Sequence, residues 1–99
     1  MNVELRIRVL LAMQTTLLGA VTANMRSVLV FWSEREIRVR IVFTEAPSST
    51  ETELASELES EMMSHFPGFK VACVTEVSAP KEKIQARSGE VFVFQRWAG

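Results

Sequence analysis

Three glutamates, Glu53, Glu57 and Glu61, recur at four-residue intervals and could place three carboxylates along one side of a helix. Each such like-charged pair costs roughly a few tenths of a kcal/mol within a helix. The row could serve solubility as a solvated face, or it could attract a basic partner with an affinity that weakens as salt rises. We take these three glutamates as the candidate partner-binding residues and leave both interpretations open.

A second candidate site combines arginines with aromatic residues. Arg38 and Arg40 alternate with apolar residues, and Arg96 closely follows Phe92 and Phe94. If one sheet face holds them together, the guanidinium groups can bind phosphates while the rings stack on bases, as in single-stranded nucleic-acid recognition. The same face could instead pair with a second copy, because exposed apolar residues favour being covered. A nucleic-acid-binding sheet and a structural homodimer are therefore the alternatives.

Enzyme chemistry finds little support in the residue types. The chain has one cysteine, one histidine and no aspartate, so it lacks a Ser-His-Asp set and the ligand spacing of a zinc site. Its four glycines are isolated, so there is no phosphate-binding loop. Cys73 is flanked by Ala72 and Val74 and is expected to be a buried apolar residue. We expect no catalytic residues, no cofactor-binding residues, no metal ligands and no cofactor.

The net charge of −1 hides a strong segregation along the 99 residues. Residues 1–44 carry six arginines and three glutamates, residues 45–66 carry six glutamates and no lysine or arginine, and residues 67–99 carry five basic and three acidic side chains. Hydrophobic residues make up 47%, too many for an unstructured tail, and a lone cysteine excludes a disulfide scaffold. The length fits a single domain over residues 1–99. No apolar run approaches the ~18–20 residues of a membrane-spanning helix, so we expect no membrane partner and a cytoplasmic location.

The N-terminal segment is predicted to form a helix over residues 2–18. Helical spacing relates six positions, of which only the glutamine is polar: Val3, Ile7, Leu10, Leu11, Gln14 and Leu18. A second set widens this apolar surface: Leu5, Val9, Met13 and Leu17. An apolar surface this wide predicts a largely buried helix.

Two strands are predicted at residues 26–32 and 36–44, joined by a short hairpin connection. The second strand alternates: Ile37, Val39, Ile41 and Phe43 share one face, whereas Arg38, Arg40, Val42 and Thr44 share the other. One polar face predicts a half-solvated antiparallel sheet.

A second helix is predicted to begin with a capping box in which Thr50 is the cap and Glu53 reaches back to it. It should run to about His65, because the following Pro67 and Gly68 stop helices. Its core-facing residues should be Leu54, Leu58 and Met62, extended by Ala55 and Phe66.

Further strands are predicted at residues 69–78 and 91–97, separated by a polar connection with one helical turn around residues 82–87. The resulting αββαββ order favours an α+β fold with a four-stranded, mainly antiparallel sheet and two helices packed on one face. The order of the strands within the sheet stays open.

Two motifs resemble a family of small, mostly uncharacterised bacterial proteins. The first helix ends in a shared pattern, Leu17-Leu18-Gly19-Ala20-Val21-Thr22-Ala23-Asn24-Met25-Arg26, and the acidic helix closes on a similar Glu61-Met62-Met63-Ser64-His65-Phe66-Pro67. The resemblance covers residues 3–78 and departs after Val77, where Ser78-Ala79 replaces a more acidic, aromatic ending. Some members are encoded near secreted toxins and are regarded as immunity proteins, which neutralise a toxin by surface complementarity.

The resemblance implies a binding protein with a toxin as partner, but it carries over no binding residues because its motifs lie in turns and core. Together with the charge pattern, it predicts a non-enzymatic protein-binding module that neutralises a bacterial toxin through its acidic helix. We expect a protein partner rather than nucleic acid, with a homodimer as a further alternative.

Overall fold

The computed structural model describes residues 3–96. Its elements follow the predicted αββαββ order: α1 Val3–Leu17, β1 Met25–Trp32, β2 Glu36–Phe43, α2 Ser49–His65, β3 Lys70–Val77 and β4 Val91–Gln95. Trp97, the predicted last residue of the fourth strand, lies outside the described residues. The α+β class is confirmed.

The four strands form one mixed sheet in the order β3-β2-β1-β4. β1 pairs antiparallel with β2 and with β4, whereas β2 and β3 are parallel, with Val39 opposite Cys73. The prediction of a mainly antiparallel sheet is therefore confirmed only in part. The parallel pair arises because α2 connects β2 to β3 as a crossover, which returns the chain to the starting end of its neighbour.

Both helices pack on one face of this sheet, α2 against β3 and α1 toward β4. The predicted alternation of β2 is confirmed, since its inward residues are fully buried in the core: Ile37, Val39, Ile41 and Phe43. On α2 the buried apolar residues are Ala55, Leu58 and Met62, with Phe66 directly after the helix, whereas Leu54 is half-buried. This packing fixes which sides of the helices point outward.

The orientation of α1 corrects the prediction that this helix is largely buried. Its core side consists of Leu5, Val9, Ala12, Met13, Thr16 and Leu17. The set that helical spacing singled out mostly faces outward, with Val3 65%, Ile7 52%, Leu11 58% and Leu18 85% exposed, and with Gln14 exposed too. Apolar residues nearly surround this helix, and a two-layer fold can bury only one side of it.

The start of α2 also differs from the prediction. Ser48, not Thr50, caps the helix: its hydroxyl accepts a bond from the Glu51 backbone N–H at 3.1 Å, and the Glu51 carboxylate accepts one from the Ser48 N–H at 3.1 Å. Both registers fit the capping-box pattern. The Ser48 register places Glu51 beside Thr22 and Asn24, which also donate to its carboxylate. The end at His65 is as predicted.

Residues 78–90, termed here the crossing segment, connect β3 at one edge of the sheet to β4 at the other. They run over the face opposite the helices, because Arg26 of β1 donates to the carbonyls of Ala79 and Glu82 at 2.7 and 2.8 Å, and Arg40 of β2 donates to that of Gln85 at 3.0 Å. The segment contains no helical turn, contrary to prediction. The outer sheet face that sequence predicted to be half-solvated is thus largely covered, with Ser27, Leu29, Arg40 and Val42 buried.

Candidate partner-binding surface

The five glutamates of α2 divide into two structural groups. Glu51 is buried, completes the capping box with Ser48, and accepts bonds from the Thr22 hydroxyl and the Asn24 amide. These bonds, the one from Thr22 foremost, lower the pKa of Glu51 because they favour the ionised carboxylate. Glu59 accepts a bond from the backbone N–H of Cys73 at 2.9 Å and so ties α2 to β3. These two carboxylates are therefore engaged in contacts within the fold.

The other three are the predicted candidates, Glu53, Glu57 and Glu61, termed here the acidic row. All three are exposed, and their carboxylates form no hydrogen bond or ion pair with any of residues 3–96. Their four-residue spacing on α2 places them on one side of the helix. The structure therefore presents a row of carboxylates whose charge is not compensated within the described chain.

Two members of the acidic row line a shallow groove between α2 and the end of α1. Its volume is about 240 Å³, and Glu57 and Glu61 face Leu18, Gly19 and Ala20 across it. Leu18 continues the exposed apolar residues of α1, termed here the α1 row: Val3, Ile7, Leu11 and Leu18. Carboxylates and exposed apolar side chains thus share the outer surface of the helix layer.

The arginines of the alternative site do not form one exposed group: Arg38 and Arg40 line the same groove, but Arg40 is buried and Arg96 lies elsewhere. Arg38 is exposed, pairs with Glu36 at 2.8 Å and stacks on the ring of Phe31 at 4.5 Å beside the β1–β2 hairpin. Arg96 lies at the other end of β1, where it donates to the carbonyls of Met25 and Thr22 at 2.9 Å each. Nucleic-acid binding through Arg38, Arg40 and Arg96 stays a prediction, but the geometry offers it no continuous exposed face.

Arg40 is the buried member of that set. Its side chain, 7% exposed, donates two hydrogen bonds to the Glu90 carboxylate at 2.7 and 3.0 Å and one to Glu76 at 3.2 Å. The Arg40 guanidinium is the main cause of the lowered pKa of Glu90, and Glu90 in turn raises the pKa of Arg40. This cluster anchors the crossing segment. Sequence reasoning missed it because Arg40 and Glu90 are 50 positions apart.

Other groups considered for chemistry are not assembled into a site. Burial, with a smaller contribution from Glu59, raises the pKa of the Cys73 thiol to about 12, so the thiol stays protonated. His65 is exposed at the end of α2. Within residues 3–96 there is no group of three or more histidine, cysteine or acidic side chains that could hold a metal ion. No helix in the same range is long and apolar enough to cross a membrane.

These features define a small α+β domain whose uncompensated carboxylates and exposed apolar residues concentrate on its helix layer. The chain belongs to the MafI2 immunity protein family, which matches residues 6–98. This match confirms the resemblance to toxin-immunity proteins and extends it past residue 78 through the crossing segment and β4. A comparison with curated proteins gave no match.

Proposed function

We propose that this protein neutralises a bacterial toxin by binding it through the acidic row of α2, without catalysing any reaction. Membership of an immunity family supports a toxin as the partner. The main support for this site is that the glutamates of α2 fall into two groups. Glu51 and Glu59 are engaged in the fold, whereas Glu53, Glu57 and Glu61 are exposed and uncompensated.

An exposed acidic row is complementary to a toxin surface rich in lysine or arginine. Complementary charge accelerates encounter by roughly 10–10³-fold at low ionic strength and fixes the orientation of the partners. Many toxins that act on nucleic acid need such a basic surface to hold phosphates. Covering that surface would block substrate binding, so inhibition needs no chemistry from the immunity protein.

The test is charge reversal of the whole row, Glu53→Lys with Glu57→Lys and Glu61→Lys. The probe is a toxin domain from the same bacterium, identified by its toxicity to cells that lack this protein and inactivated by mutation for binding measurements. We expect the on-rate in stopped-flow mixing at low salt to fall at least about tenfold, and the difference to shrink at high salt because the interaction is screened. Protection of cells that express the active toxin should weaken in parallel.

A matched control separates the row from net charge. One double variant changes two members of the row, Glu57→Lys with Glu61→Lys. The control double variant changes two glutamates outside the row, Glu34→Lys with Glu45→Lys. Both variants change the net charge equally, and all four residues are exposed. Only the first pair should slow association. An unchanged on-rate in the triple variant would refute the site, and failure of the wild-type protein to bind or protect would refute the function.

A further inference from the structure

We propose that the α1 row is the apolar half of the same docking surface. Its occupant would be a toxin segment that carries apolar side chains next to lysines or arginines. This inference rests on the proposed function and specifies the partner surface. The apolar residues would pack on Leu11 and Leu18, while the cations would pair with Glu57 and Glu61.

The exposure of the α1 row is unusual for an outward helix face, which normally carries polar residues. Val3, Ile7, Leu11 and Leu18 are each more than half exposed. The arginines of α1 do not interrupt the row. Arg6 stacks toward the ring of Trp32 and Arg8 toward that of Phe66, at 5.7 and 5.1 Å. Gln14, also exposed, lies between Leu11 and Leu18 on this face, so the row is a line of apolar side chains with one polar member. Exposed apolar side chains grouped on one face favour being covered by a partner.

The C-terminal half of the α1 row, Leu11 and Leu18, borders α2. The two helices run in opposite directions, since Arg8 lies over Phe66 at one end and Gly19 shares a groove with Glu57 at the other. Leu18 lines the groove with Glu57 and Glu61, and Leu11 lines a second groove of about 280 Å³ with Arg8 and His65. The surface is therefore acidic at its Leu18 end and not at its Leu11 end, and we expect the cations of the toxin segment to bind at the Leu18 end.

A second copy of the chain fits this surface less well. A two-fold axis that passes near the Leu18 end would bring the carboxylates of Glu57 and Glu61 toward their own symmetry mates. Like charges opposed across an interface are unfavourable. The α1 row is also small: 15 residues at about 1.5 Å per residue give a strip roughly 22 Å long and about 10 Å wide, far below the ~800 Å² per partner of a stable dimer.

The test compares Leu11→Gln and Leu18→Gln with Met63→Gln. Both leucines are exposed, so the variants should stay folded, which circular dichroism verifies. Met63 is 51% exposed and follows Glu61 by two positions, about 200° around α2, so it faces away from the groove. With the same inactivated toxin domain as the probe, we expect each leucine variant to raise Kd about tenfold, mainly through the off-rate. Met63→Gln should leave Kd within about twofold.

The result separates this inference from the proposed function. If the toxin binds the wild type and charge reversal slows association, but the double variant Leu11→Gln with Leu18→Gln keeps the wild-type Kd, the α1 row is not part of the interface. If the wild type does not bind the toxin, the proposed function fails first. If sedimentation shows a wild-type dimer that the double variant dissociates, the occupant is a second copy and the inference is wrong.

Discussion

Replacing Arg40 with methionine should destabilise the fold far more than any surface charge change. Methionine keeps the apolar stem of the arginine but removes a guanidinium that makes four hydrogen bonds at 2.7–3.2 Å. The Glu90 carboxylate, which is 10% exposed and belongs to the last residue of the crossing segment, then stays buried without the Arg40 cation. Glu76 is less affected, because Arg87 pairs with it at 2.9 Å.

The expected loss in the free energy of unfolding is about 3–5 kcal/mol, the usual result of removing one partner from a buried ion pair. A domain of this size has about 5–15 kcal/mol in total, so the variant should lie near the edge of stability. Urea denaturation followed by tryptophan fluorescence measures the difference. Arg38→Met is the matched control, two residues along the same strand, where the side chain is 55% exposed and pairs with Glu36.

The control should lose no more than about 1 kcal/mol, because exposed pairs contribute little. Adding Glu90→Gln to Arg40→Met should recover about 1–2 kcal/mol, since it removes the buried charge left behind. The reasoning is refuted if Arg40→Met and Arg38→Met are equally stable, because the crossing segment would then not depend on the buried pair.

Three further outcomes are expected. Ser48→Ala should lower the free energy of unfolding, measured by urea denaturation, by about 1 kcal/mol, and Thr50→Ala should lower it clearly less, because Ser48 is the cap. A larger loss for Thr50→Ala would instead support Thr50 as the cap. Glu51 and Glu90 have lowered pKa values, so their stabilisation is complete above the unfolded pKa of about 4.3 and is lost as pH falls through the folded pKa. The urea concentration at the unfolding midpoint should therefore decrease once the pH is lowered below about 4.3. A midpoint concentration that stays unchanged down to pH 3 would contradict these contacts. The half-buried Cys73 thiol, with a pKa raised to about 12, should react with a chromogenic disulfide reagent at pH 8 at least about tenfold more slowly when folded than in urea, and equal rates would contradict this environment.

Local patterns predicted the elements well. The alternation of β2 and the stop after His65 each depend on neighbouring residues, and both agree with the structure. The side of α1 that faces the core was not predictable in this way. Both apolar sets of that helix satisfy helical spacing, and only the position of the sheet decides that Val9 is buried and Leu11 is not.

Long-range features were missed for a related reason. The capping-box pattern fits the local sequence with either Ser48 or Thr50 as the cap. In the structure Ser48 is the cap, and its partner Glu51 also accepts bonds from Thr22 and Asn24, which lie in a turn far away in sequence. The strand order β3-β2-β1-β4 places β3 and β4 at opposite edges, and the crossing segment that connects them runs over the outer face. The residues near Arg40 in the sequence do not indicate that its guanidinium will be buried and paired with a glutamate 50 positions later.

The same distinction between engaged and free charges bears on the candidate site. Six glutamates in residues 45–66 suggest a uniformly acidic segment, yet the fold uses Glu51 and Glu59 internally. Several arginines of the basic flanks are also engaged, since Arg26, Arg40 and Arg96 donate to backbone carbonyls that fix the crossing segment or the chain beside β1. Charge summed along the sequence therefore overstates both the acidic and the basic surface. The three carboxylates of the acidic row are left uncompensated beside the exposed α1 row. This combination of charge for orientation and apolar area for residence time is what a tight protein–protein interface requires.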